Sequence, residues 1–167
     1  MGLCDEILKK AIAIDCENPI TKGLEANGVI INRQDVDFAA TVLDATRKNI
    51  IKTLVLKTGK KGYEVYCPGS TPSTGTKISL EKGTYKNKWT VDLPLVVLDN
   101  GPEVCEDIIE GLANGEYVVI LRNKHKGSDG NAEYQVYGYY QGLRAETIEN
   151  DKYSEDTDGG WSVALKE

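Results

Sequence analysis

The chain is poor in the side chains that reaction chemistry draws on. It holds one histidine, His125, and four cysteines, Cys4, Cys16, Cys67 and Cys105. No CxxC pair occurs and no cysteine lies near His125 in sequence, which argues against zinc, whose structural sites need closely spaced thiolates and imidazoles. Disulfides are possible by count. However, the start Met1-Gly-Leu-Cys-Asp-Glu-Ile-Leu-Lys-Lys10 lacks a basic region followed by a long apolar run, so no signal peptide is expected. Reduced thiols in a cytoplasmic synthesis compartment are the expectation. No apolar run approaches the roughly 18 residues needed to span a membrane, so no membrane partner is expected. Basic clusters are missing too: the net charge is -6 and the pI about 4.9. Phosphate binding is mostly neutralisation by Lys and Arg, so specific nucleic-acid binding is not expected.

What is present is ordinary in bulk and unusual in one detail. With 167 residues, of which 28% are charged and 40% apolar, one domain is expected, long enough to bury a core. Nine Tyr stand against one Phe. A tyrosine ring is apolar and its tip polar, which suits half-buried sheet faces and subunit interfaces.

Hydrophobic periodicity predicts strands broken by one helix. Leu3 to Cys16 fits both a short amphipathic helix and extended chain, and Asn18-Pro19 breaks it. Val29-Ile-Ile31 reads as a strand after an Asn27-Gly28 turn. Val36 to Leu43 reads as another, with Val36, Phe38, Ala40 and Val42 on one face. Ile50 to Thr58 and Tyr63 to Cys67 are expected to form a hairpin around Gly59-Lys-Lys-Gly62. Pro68 to Lys77 is a loop by composition. Tyr85 to Leu98 alternates as one long strand, apolar on both faces from Pro94 onward and so expected to be covered on both sides. Pro102 to Asn114 is a helix: Pro102 suits its first position, Glu103, Glu106 and Asp107 complement the N-terminal dipole, and Gly115 ends it. Val104, Cys105, Ile108, Ile109, Leu112 and Ala113 form its expected apolar stripe. Tyr117 to Leu121 reads as a strand buried on both faces, and Tyr134 to Leu143 and Trp161 to Leu165 as further strands. The expected fold is mainly β with one flanking helix (α+β), a β-sandwich or barrel. Residues 1–167 are expected to form a single domain with an N-terminal arm, about 1–16, and an extended loop, about 68–77.

No segment meets the standard for catalysis or cofactor binding. Gly69 to Lys77 lacks the Gly-Lys-Ser/Thr order of a phosphate loop, and Pro72 removes a backbone donor. Asp151, Glu155, Asp156 and Asp158 are spaced wrongly for an EF-hand and read as a solvated turn. His125, between Lys124 and Lys126, reads as an exposed loop residue without a placed nucleophile. Cys105 reads as a structural thiol near the start of the helix. Glu103, Glu106, Asp107 and Glu110 read as a solvated helix face. No catalytic residue, cofactor or metal is therefore expected, and no enzyme.

The stretches Pro102-Glu-Val-Cys-Glu-Asp-Ile-Ile-Glu-Gly-Leu-Ala-Asn-Gly-Glu-Tyr-Val-Val-Ile-Leu121, Tyr137-Gly-Tyr-Tyr-Gln-Gly-Leu143 and Asn150-Asp-Lys-Tyr-Ser-Glu-Asp-Thr-Asp-Gly-Gly-Trp-Ser-Val-Ala-Leu165 carry a resemblance. They look like small structural proteins of phages and prophages of Bacteroides-type bacteria, and the element order resembles tail tube proteins. The resemblance implies a virion structural protein of the tail. It would be made in the bacterial cytoplasm and assemble into stacked, usually hexameric, rings with itself and other tail or neck proteins as partners. DNA would pass through the bore without specific binding. It also implies that the hairpin Ile50 to Cys67 and the loop Pro68 to Lys77 contact the next ring. Three other readings remain: a tail-completion, adaptor or head-decoration protein; a tube of a phage-derived injection system; and a carbohydrate-binding β-sandwich in which Trp89, Trp161 and the tyrosines stack on sugars.

Overall fold

Two antiparallel four-stranded sheets share one apolar core. The computed structural model describes residues 11–13, 15–17, 19–66, 75–127, 129–155 and 157–167. In chain order the strands are β1 (Leu24–Asn32), β2 (Val42–Leu43), β3 (Ile51–Thr53), β4 (Tyr63–Tyr66), β5 (Lys77–Lys82) and β6 (Asn87–Val97). After the helix follow β7 (Tyr117–Asn123), β8 (Tyr134–Tyr137), β9 (Arg144–Asn150) and β10 (Trp161–Lys166). The first sheet has the order β4-β1-β7-β8 and the second β5-β6-β10-β9. Their facing sides supply Val119, Leu121 and Tyr137 from one sheet and Val91, Leu93, Leu95, Val163 and Leu165 from the other. Each fully buried side chain of this size contributes about 1.5–3 kcal/mol, so these residues dominate the fold.

Strand β7 is covered on both sides, as its unbroken apolar run predicts. Val118 and Ile120 point away from the sandwich core and pack with Ile31, Val36, Leu54, Leu56 and Val136. The cover is the stretch between β1 and β4, which lies over the outer face of the first sheet. Asp35 ties it down: its carboxylate accepts from Asn32 Nδ2 at 3.4 Å and faces Lys60 Nζ at 3.9 Å.

This cover corrects two expectations. Val36 to Leu43 is not one strand, because the Asp37 side chain accepts hydrogen bonds from the backbone N–H groups of Ala39 and Ala40 and folds the chain into a turn, a competition with ladder bonding that aspartate commonly wins. Ile50 to Thr58 and Tyr63 to Cys67 do not form a hairpin. Instead β3 pairs with β2 and β4 pairs with β1. The turn that places Lys60 N–H on the Lys57 carbonyl redirects the chain to the edge of β1.

The helix runs from Pro102 to Asn114 as expected, in three continuous stretches: α1 (Pro102–Val104), a π turn (Cys105–Ile109) and α2 (Glu110–Asn114). Its buried residues are Val104, Ile109 and Leu112. The wider π turn brings positions five apart onto one side, so Val104 and Ile109 face inward while Ile108 and Cys105 face solvent. The expected six-residue stripe is thus corrected to three. The helix packs along β9, and Leu112 reaches the main core.

At the other end of the first sheet, Tyr134 to Leu143 is interrupted rather than continuous. Gly138 has φ 78°, and a Cβ there would lie 2.8 Å from both Leu143 Cγ and the Tyr117 carbonyl oxygen. The chain turns at this glycine, crosses to the second sheet, and closes the corner with mutual backbone hydrogen bonds between Tyr117 and Leu143. Strands β6 and β10 fall where the alternation predicts, although Pro94 and Val96 are only half-buried and Leu98 is exposed. The proposed N-terminal arm lies largely outside the described residues, as do Cys4, Cys67, residues 68–74 of the loop, and Asp156. Among the described residues no helix is long and apolar enough to cross a membrane.

Candidate interaction surface

The groups singled out by sequence chemistry do not come together. His125 lines a shallow depression of about 410 Å³ with Ile20, Thr21, Lys22, Gly23 and Asn123. A second open depression, about 360 Å³, lies on the outer face of the first sheet beside Arg122, Glu64 and Tyr134. Its one guanidinium is already committed, since Arg122 donates to Glu133 at 2.8 Å from Nε and 2.7 Å from Nη2. This bond holds Arg122 protonated above its usual range. No group of three or more metal-capable side chains occurs among the described residues. In the acidic turn, Asp151 Oδ1 accepts from the Tyr153 N–H. That turn is tied back by Asn150 and Asn100, whose side-chain amides both donate to the Gly159 carbonyl. Cys105 is exposed on the helix, which corrects its reading as a buried thiol.

The remaining shifted groups are structural. Burial pushes the Tyr117 and Tyr137 hydroxyls up. Both are hydrogen-bonded, Tyr117 to the Gly111 carbonyl and Tyr137 to Gln135 Oε1 at 3.0 Å, as buried tyrosine hydroxyls require. The bond to Glu146, with Asp92 beside it, raises Lys166. Backbone N–H bonds from Arg47 and then Thr46, with Lys52 nearby, lower Asp44. None of these groups sits in a cleft beside a nucleophile.

What does stand out is an arm. Strands β5 and β6 pair from Lys77↔Asp92 to Lys82↔Asn87, turning tightly where the Gly83 N–H bonds the Lys86 carbonyl. Opposed residues of a ladder share a face, so Ile78 opposite Val91 and Leu80 opposite Trp89 lie on the side that buries Val91, Leu93 and Leu95. Beyond Val91 no described residue covers that side. Trp89 is 64% exposed, Leu80 and Ile78 46% each, and Tyr85 at the tip 100%. The arm thus continues the core-facing surface past the point where the first sheet ends. On the opposite side of the arm Lys88 stands across from Glu81, both exposed.

Strand β5 had a signal in the alternation Ile78-Ser79-Leu80-Glu81, which falls between the loop and the Gly83 turn and is short enough to be missed. The other signal, Trp89, lies in the alternating strand Tyr85 to Leu98, where alternation does not tell a covered position from an open one. Trp161 pairs with Val97, eight residues from Trp89 and so roughly 26 Å along the strand. The two tryptophans therefore cannot stack on one sugar.

A second exposed aromatic group sits at the corner between the sheets. Phe38 and Tyr139 meet edge to face at 5.3 Å, and Tyr139 and Tyr140 at 5.0 Å. The Arg33 guanidinium lies 4.9 Å from the Phe38 ring and donates to the Tyr140 carbonyl at 2.6 Å. That arginine serves the corner itself. No protein-family model, curated protein or solved structure matches this chain.

Proposed function

We propose that the chain is a structural subunit that associates with copies of itself into rings, and that the rings stack into a tube of the phage-tail kind. The uncovered inner face of the β5–β6 arm is the observation that carries this reading. Soluble proteins rarely leave a contiguous apolar patch open to water, and here the patch has the strand geometry of a core face. A second protein surface is its natural cover. The acidic balance suits a conduit, because carboxylates facing a bore repel DNA phosphates and keep transit free. Assembly in a bacterial cytoplasm, other tail or neck proteins as partners and a place in the virion tail belong to the same reading.

Negative-stain electron microscopy of the purified protein over a concentration series, with light scattering on the same samples, tests it. Hollow rings or tubes of uniform bore are the expected result. Single rings that never stack would point to an adaptor or completion protein, and a monomer at all concentrations would refute self-assembly.

A further inference from the structure

We propose that the outer edge of β5 pairs antiparallel with β5 of a second copy of this chain, across a two-fold axis. The contact goes beyond the ring reading and does not rest on it. Strand β5 ends its sheet, so one of its edges carries no ladder among the described residues. The Gly83 N–H bonds the Lys86 carbonyl at 3.1 Å, and this fixes where the backbone groups of the arm point. In an antiparallel ladder, opposed residues that exchange hydrogen bonds alternate with opposed residues that do not. Counted back from Gly83 and Lys86, the exchanging pairs are Glu81 with Lys88, Ser79 with Thr90 and Lys77 with Asp92. Ile78, Leu80 and Lys82 therefore turn their backbone groups outward. Groups left unpaired along an edge are a template for another strand.

One register matches the strand to itself. Centred on Ser79, the sequence Lys77-Ile-Ser-Leu-Glu81 sets Ser79 opposite Ser79, Ile78 opposite Leu80 and Lys77 opposite Glu81 of the second copy. Symmetry repeats the last two pairs. Apolar side chains then meet on the face that carries Trp89, and opposite charges meet on the other face, both favourable across a ladder. The outward-turned Ile78 and Leu80 fall opposite each other, as hydrogen bonding requires. Lys77 faces Asp92 of its own chain at 3.8 Å yet is 67% exposed, so a second carboxylate can join it. Centring the pair on Leu80 would set Lys82 against Ile78, and centring it on Ile78 would pair no charges. A slip of one residue would mismatch the faces altogether.

The arm also gains support from the contact. Strand β10 pairs with β6 only from Asp92 onward, so beyond that residue the arm is a ribbon of two strands, which is marginal in water without a third. Pairing makes it four-stranded, in the order β6-β5-β5-β6. The same patch serves on both copies, so the contact closes at two and does not propagate. It caps the open edge and leaves the Trp89 face free for the separate contact that a ring needs.

Sedimentation of the full chain with charge reversals tests the register. K77E sets acid against acid twice and E81K sets lysine against lysine twice, so each alone should weaken dimerisation by about tenfold or more. An equal mixture of the two variants should dimerise as the wild type does, because every acid then faces a lysine. Recovery on mixing cannot come from repair of a damaged fold. Ser79→Cys tests the axis. Opposed residues that exchange no hydrogen bonds have Cα atoms about 4.5 Å apart, within reach of a disulfide. Oxidation of that variant, mixed equally from unlabelled and nitrogen-15 chains, should give a peptide pair joined at the substituted position and carrying one isotope on each side. A wild type that stays monomeric, a dimer indifferent to the reversals and their mixing, or disulfides that avoid the substituted position would overturn the proposal. Dimers that never form rings would leave the pairing standing and sink the ring reading. Rings without the link at the substituted position would do the reverse.

Discussion

Strand β6 contains both a core and a surface written in the same pattern. In its second half Leu93 and Leu95 are 1% and 6% exposed, while Trp89, four and six residues earlier on the same face, is 64% exposed. The alternation is continuous through all of them, and so is the pairing with β5 or β10. The difference lies in the opposite layer: Val119 and Leu121 of β7 stand over the second half, and nothing described stands over the first. Alternation therefore tells which way a side chain points and not whether anything meets it.

Substitutions should separate the two halves. Leu93→Ala deletes a side chain with no room to relax, and denaturant unfolding should show a loss of about 2–5 kcal/mol. Trp89→Ala removes a larger side chain, yet the unfolding free energy of the dilute monomer should change by no more than about 0.5 kcal/mol. Equal losses would mean that the arm packs within its own chain.

A smaller effect is expected at the corner that joins the sheets. Gly138→Ala places a Cβ against Leu143 and the Tyr117 carbonyl at a φ of 78°, and backbone strain of this kind costs about 1–3 kcal/mol. Thermal unfolding that is unchanged by this substitution would show that the corner can relax. Below it comes Tyr137→Phe, which removes the hydrogen bond to Gln135 at a cost of about 0.5–1.5 kcal/mol. Burial raises the Tyr137 pKa above its ordinary value of 10.0, so its stabilisation is complete below pH 10 and lost as pH rises through the folded-state value. Stability curves of the wild type should fall on the alkaline side, and those of Tyr137→Phe should fall less.

The smallest effect belongs to Asp44. The Arg47 and Thr46 N–H bonds depress its pKa below 3.8, so its contribution is present above that value and disappears as pH falls through the lower folded one. Asp44→Asn should flatten the acid limb of the stability profile slightly. A steeper limb in the variant would contradict this assignment.

Much of the fold was legible because some signals are local. A proline at the first helical position and a glycine after the last turn define the helix without reference to anything distant. The run Tyr117 to Leu121, apolar at every position, announces a strand covered twice. Pairing was not legible, since β3 and β4 are adjacent in sequence and belong to different sheets. Strand β9 was missed because Arg144–Asn150 offers only Ala145 and Ile148 as apolar residues, and an edge strand needs few. The stripe of the helix was read too wide because a 3.6-residue period does not describe a π turn. The candidate surface was half visible: Trp89 could be seen, but not that no described residue covers it.

By itself the sequence determined the element types, the two-sided burial of β7, and the charges of arm and helix. These depend on neighbours a few residues away, through backbone sterics, capping and side-chain alternation. Only the tertiary structure decided which strands pair, that the chain crosses between sheets at Gly138, and that the first sheet stops short of Trp89. Such features depend on contacts between residues far apart in the chain, where the free energy of burying one face against another outweighs any local preference.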